Sequence, residues 1–193
     1  GLTTIAVTDT TIDATTLAST IDSYDTINGG GTTDMTLASG ATINVDAGEI
    51  THMLADESLG RLTISDQVIT VNSAATISVD TANLLEATTT GVVTASITTT
   101  ETVSKLNTLT GTNGAYTIVV ATGDATTTTA AELNTLNSKT TVAVDLTNVT
   151  ALAGSSLSDL ETLASAISAD EFSNDTGLTT IAVTDTTIDA TTL

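Results

Sequence analysis

Three aspartates recur at one equivalent place in a repeated phrase, where stacking could bring carboxylates together for metal chemistry. INVDAGEITHM (Ile43 to Met53), ISVDTANLLEA (Ile77 to Ala87) and VAVDLTNVTAL (Val142 to Leu152) share one pattern, in which Asp46, Asp80 and Asp145 each close a Val-Asp pair. Glu49, Asn83 and Asn148 follow three residues later. Stacked in register, the carboxylates would form a column, and acids interleaved with carbonyl groups are the hard oxygen donors that Ca2+ takes. The preferred reading is plainer. An Asp at the start of a helical turn caps it, and Asp46 with Glu49 has the spacing of a capping box.

Asp34 is the fourth acidic candidate. NGGGTTDM (Asn28 to Met35) resembles the nonapeptide of calcium-binding β-rolls at Gly29, Gly30 and Asp34. Thr32 stands where that motif has Gly and Thr36 where it has a large aliphatic residue, so a wide turn is the default. Catalysis has little to draw on. His52 is the one imidazole, there is no Cys, and Arg61, Lys105 and Lys139 are the three basic residues. Sugar-cleaving β-helices set acids beside basic groups and aromatic platforms, and Tyr24, Tyr116 and Phe172 are too few to supply these. An enzyme is not expected. Asn148 and Asn174 begin glycosylation-type triplets, which chance supplies in a chain so rich in Asn and Thr.

The elements that would position such residues follow from a repeat. GLTTIAVTDTTIDATTL occupies Gly1 to Leu17 and recurs, letter for letter, as Gly177 to Leu193. The chain therefore reads as one full tandem unit, 1–176, and the start of the next identical one, 177–193. Thr makes up about a quarter of the residues, with no Pro, Cys or Trp. The 40% apolar content comes in small, β-branched pieces suited to stacked strands. With 23 acidic residues against three basic ones, the net charge of −20 argues against nucleic acid and anionic membrane as partners. No apolar run approaches the length of a membrane span.

Inside the unit, INVD, ISVD and VAVD alternate as half-buried strands do, and the letters after them switch to a spacing of three, as in one helical turn. Units of this kind bury an apolar face by stacking, and Thr ladders suit the stack. The expected fold is mainly β, a parallel β-solenoid (β-helix) of about seven rungs, about 4.8 Å each, with short helical turns; a tandem β-sandwich is the alternative. Corners fall at Asn28 to Gly31, Gly111, Asn113-Gly114 and Gly123-Asp124. One amphipathic helix is expected at about 156–169, where Leu157, Leu160, Leu163 and Ile167 share a face and Ser156 with Asp159, or Ser158 with Glu161, has capping-box spacing. That stripe is either a brace over a junction or an interface with another chain.

AAELNTL (Ala130 to Leu136) and SKLNTL (Ser104 to Leu109), set among TTGVVTASI (Thr89 to Ile97) and TTVAVD (Thr140 to Asp145), resemble the repeats of giant repetitive bacterial cell-surface and adhesin proteins of the cyanobacterial type. They also look, more weakly, like the repeats of long phage fibres, although Asn137 follows Leu136 where those have Gly. The resemblance implies an extracellular, cell-surface structural protein, a spacer, adhesin stalk or surface-layer rod whose partners are neighbouring identical units. The alternative is a subunit of a polymeric fibre joined head to tail or laterally. Ca2+ is the one cofactor the acidic residues bring into question.

Overall fold

The computed structural model describes residues 4–27, 34–111 and 114–186, in two compact units, Gly1–Ser96 and Ile97–Leu193. Most of the Gly-rich stretch after Asn28, and Asn113, lie outside the described residues.

In the first unit a strand–strand–helix motif recurs. β1 (Thr4–Val7), β2 (Thr11–Asp13) and α1 (Ala14–Ile27) are followed by β3 (Asp34–Leu37), β4 (Thr42–Val45) and α2 (Ile50–Ser58). Then come β5 (Leu62–Thr63), β6 (Val68–Val71), β7 (Thr76–Ile77), α3 (Val79–Thr88) and β8 (Val93–Ile97). First strands stack on first strands in a parallel sheet β1-β3-β5, and second strands form another, β2-β4-β6-β8 with β7 beyond. Register places like on like. Ile12, Ile43, Ile69 and Val93 lie opposite one another and are all buried, as are Met35 and Leu62. Thr11 faces Thr42, and Thr70 faces Thr94. The helices close the core with Leu17, Ala18 and Ile21 on α1, Ile50 and Met53 on α2, and Val79, Ala82 and Leu85 on α3.

The second unit holds α4 (Val103–Leu106), β9 (Ala115–Thr117), α5 (Ala130–Asn137), β10 (Val144–Asp145), β11 (Ala151–Ser155), α6 (Leu157–Ser168), β12 (Phe172–Ser173) and β13 (Thr180–Val183). β10 pairs with β12 and β11 with β13, both in parallel. The helices form a row, α4 on α5 and α5 on α6. Asparagine amides stitch it: Asn107 Nδ2 donates to the Glu132 carbonyl at 3.2 Å, and Asn134 Nδ2 to that of Asp159 at 2.9 Å. Leu106, Tyr116, Ile118, Leu133, Leu136 and Leu146 are buried to 1% exposure or less, so one of the three aromatics sits at the centre of this core.

These elements overturn the expected β-solenoid. Helix takes 36% of the described residues and strand 26%, which makes the chain α/β, with mostly parallel sheets and no closed solenoid. The β-sandwich alternative fails too, since all seven ladders with a defined register are parallel. Of the three phrases read as a strand and one helical turn, two run into longer helices, α2 and α3, and the third, VAVDLTNVTAL, forms none; six helices stand among the described residues where one was expected. Their apolar residues keep a spacing of three or four through successive turns, as in Val79, Ala82 and Leu85 or Ala130, Leu133 and Leu136, which lines one helix face. Threonine does not prevent this. Inside the helices the hydroxyls bond back one turn, Thr20 to the Thr16 carbonyl at 2.7 Å and Thr135 to that of Ala131 at 2.9 Å. At the starts, Ser78, Thr102, Thr129 and Ser156 each accept a hydrogen bond from the amide three residues on.

Candidate functional site

The four acidic candidates do not meet. Asp46 lies exposed in the turn after β4 and accepts a hydrogen bond from Asn72 Nδ2 at 2.9 Å. It caps no helix, because the Asp46 carbonyl closes a turn with the Glu49 amide at 2.9 Å and α2 begins only at Ile50. Glu49 occupies the cap position without a side-chain cap bond, so the box expected of this pair is not formed. Asp80 sits in the first turn of α3, after the Ser78 cap, where its charge favours the helix dipole. Asp145 ends β10, and its Oδ1 accepts the Thr147 amide at 2.8 Å. Asp34 opens β3 and accepts from Thr63 Oγ1 at 2.9 Å. Three positions taken as equivalent are thus a turn, a helix and a strand. Among the described residues no three His, Asp or Glu side chains gather as a group that could hold a metal such as Ca2+.

A charge cluster that sequence spacing did not point to joins α1 to α2. Arg61 reaches Asp25 at 3.0 Å, Asp56 at 3.6 Å and Asp22 at 3.8 Å. His52 lies 3.6 Å from Asp56 and 3.9 Å from Glu49, and is half-exposed. Asp56 is 2% exposed. The arrangement holds two helices together around buried carboxylates. It sets no nucleophile beside the imidazole. The signal for it in the sequence is the scarcity of cations: one of three sits amid acids separated from it by up to 39 residues.

The geometry with most to say is at the seam, where the second copy of the opening phrase meets the chain before it. β13 carries TIAV, the letters of β1. β1 pairs with β3 after it, β13 with β11 before it. The two copies use opposite backbone edges. Ala151 and Ala153 send their N–H groups back to the Ala125 and Thr128 carbonyls, at 3.2 and 2.9 Å. Leu152 between them therefore faces β13, where its register partner is Ile181, so Thr180 and Ala182 meet it. In β3, the Met35 amide goes to the Arg61 carbonyl at 2.9 Å, so Thr36 faces β1, where its register partner is Ala6. Ile5 and Val7 then carry the groups that meet it. Thr180 and Ala182 match Thr4 and Ala6; Ile181 and Val183 match Ile5 and Val7. One strand of this sequence can hold a neighbour on each side.

Side chains continue the join. Helices α4 and α5 each find a partner for their first helical amide on a later segment: Val103 donates to Asp124 Oδ2 at 2.8 Å, Ala130 to Ser155 Oγ at 2.9 Å. Leu157, first in α6, donates to Asp185 Oδ2 at 2.6 Å. Asp185 matches Asp9. Beside it runs an apolar groove of about 350 Å³ lined by Leu152, Leu157, Leu160, Leu163, Ile167 and Ile181, among others. Of the expected leucine stripe Leu163 is buried, and Leu157, Leu160 and Ile167 are half-buried. Ile181 and Val183 remain 51% and 43% exposed, whereas Ile5 and Val7, which lie opposite Met35 and Leu37, are half-buried.

Comparison with protein-family models, with curated proteins and with solved structures gives no match.

Proposed function

We propose that this chain is a structural repeat of a very large extracellular or cell-surface protein, a spacer whose 176-residue units continue one into the next. The observation that carries the reading is the second copy of the opening phrase: it docks on β11 and α6, and the backbone edge it leaves over is the edge with which the first copy holds β3. A joint of this kind adds a unit without new chemistry. The composition supports the location, since a charge of −20 suits a surface in saline surroundings. The test is small-angle scattering from tandem chains of one, two and three units. The expected result is a constant gain in length per unit at fixed cross-section. Scattering from compact beads joined by a flexible string would refute the spacer.

A further inference from the structure

The seam's parts are not tied to covalent continuity. Whatever supplies TIAV, an Asp two residues after it and an apolar strand–helix segment could fill the place on β11 and α6. The chain has another such source, its own first residues. Ala6 and Thr4 turn their backbone groups away from β3, and β1 has no other strand partner among the described residues. Asp9 is exposed. Beside β1 a small cleft of about 170 Å³ is lined by Val7, Ile12, Leu17 and Met35 together with Asp9, Thr16 and Thr20.

We infer that separate chains associate head to tail, the first-copy segment Thr4–Ile27 of a second molecule seating on β11 and in the α6 groove in place of Gly177–Thr186. In the joined state Thr4 and Ala6 of the incoming copy pair with β11, Asp9 takes the Leu157 amide, and Ile5 and Val7 keep their own β3. The helix α1 of the incoming copy extends the row α4, α5, α6 by one, over Leu160, Leu163 and Ile167. The segment already seated there is thereby a competitor for the same site. β13 suits that role, as a four-residue edge strand with all its residues exposed, paired on one side among the described residues. This rests on the same joint as the repeat reading, yet the two can fail separately, because beads on a string would still exchange their end segments.

Proline separates the edges. Ala182→Pro removes the N–H that β13 turns to β11 and adds a clash there, which frees the site. Ala6→Pro removes the matching N–H of the incoming segment and spares the groups of Ile5 and Val7 that bind β3. By sedimentation velocity, wild type stays monomeric where Ala182→Pro forms concentration-dependent oligomers, and the double variant Ala6→Pro/Ala182→Pro returns to monomer. A monomeric Ala182→Pro chain with intact circular dichroism overturns the inference, and so does a double variant that associates as strongly. A second readout does not need the variant to fold. A fluorescent peptide of sequence Gly1–Ile27 binds the wild-type chain saturably by exchange, and its Ala6→Pro form binds at least about tenfold more weakly. Absence of saturable binding to the wild-type chain, or equal binding of the two peptides, also overturns it.

Discussion

The first amide of α6, on Leu157, donates to the carboxylate of Asp185 at 2.6 Å, across 28 residues of chain. The two helices before it are served the same way, Val103 by Asp124 and Ala130 by Ser155, so the second copy of the opening phrase is received at the seam as an ordinary continuation. Helix starts leave amides without an intrahelical partner, and Ser156 already satisfies that of Asp159. Asp185 adds a second, at the positive end of the dipole. Asp185→Ala should therefore cost about 1 kcal/mol, the usual worth of a cap. The loss should be local. Hydrogen exchange at the Thr184 amide, bonded to the Ser155 carbonyl at 3.0 Å, should quicken about fivefold while Leu133 and Leu136 exchange as before. Unchanged protection at Thr184 would mean that Asp185 does not hold the segment.

Much of this was written in the sequence, and what was not has identifiable causes. The duplication of Gly1–Leu17 is legible in the letters themselves, and its second copy is where β13 pairs with β11. The spacing of Leu157, Leu160, Leu163 and Ile167 placed α6, but the phrases expected to stack on one another, those of Ile43, Ile77 and Val142, do not: Ile43 pairs with Ile12 and Ile69 instead. Helix was underestimated because Thr and Ala dominate the segments after the strands. β-branched Thr reads as strand by propensity, yet Thr20 and Thr135 answer the backbone one turn back and tolerate the helix. The Val-Asp phrases misled for a related reason. Four shared letters do not fix where a helix begins, and a Ser at position 78 starts α3 one residue before Val79, whereas Asp46 is followed by a turn that delays α2 to Ile50. The full capping box lies at Thr129 and Glu132, each side chain bonding the other's backbone amide at 3.2 and 2.8 Å, in a phrase noticed first for its LNTL letters.

The Arg61 cluster carries a prediction of its own. Arg61 is 30% exposed at its side chain, but the Asp56 side chain is 3% exposed and Asp25 12%. Removing one partner of a buried pair leaves a charge without compensation, at about 3 kcal/mol. Arg61→Ala should lower the melting temperature accordingly, and Asp56→Asn in that background should recover part of the loss, since the carboxylate that suffers is then gone. The pair of variants is read in a double-mutant cycle by thermal or urea melts. Strictly additive effects would show that Arg61 acts elsewhere than on Asp56.

Gly91 is required by contact rather than by its backbone angle. A Cβ there would lie 2.3 Å from the Gln67 carbonyl oxygen and 2.8 Å from that of Asp66, both main-chain atoms that cannot swing aside. Those carbonyls belong to a tight network. The buried Gln67 donates through Nε2 to the Ala38 carbonyl at 2.9 Å, and Thr89 Oγ1 bridges the Gln67 carbonyl at 2.6 Å to the Gly91 amide at 2.9 Å. Gly91→Ala should destabilise by about 3 kcal/mol, and Gly48→Ala, where nothing lies within 4 Å, by no more than about 0.5 kcal/mol. Equal urea midpoints for the two variants would contradict the packing argument.

Asp66 gives the acid side of the pH profile. Its carboxyl is held below the ordinary 3.8, first by the Ser39 hydroxyl, which donates to Oδ2 at 2.5 Å, and then by the Gly40 amide. A carboxyl lowered in the folded state binds its proton more weakly there than in the unfolded chain. Its contribution to stability is therefore complete above the unfolded value and is lost as pH falls through the folded one. Ser39→Ala removes the larger cause. The carboxyl resonance of Asp66, followed by NMR from neutral pH downward, should titrate below 3.8 in the wild type and move back toward that value in the variant, whose stability should also fall less between those two pH values. A midpoint that does not move on losing Ser39 would assign the shift to the backbone alone.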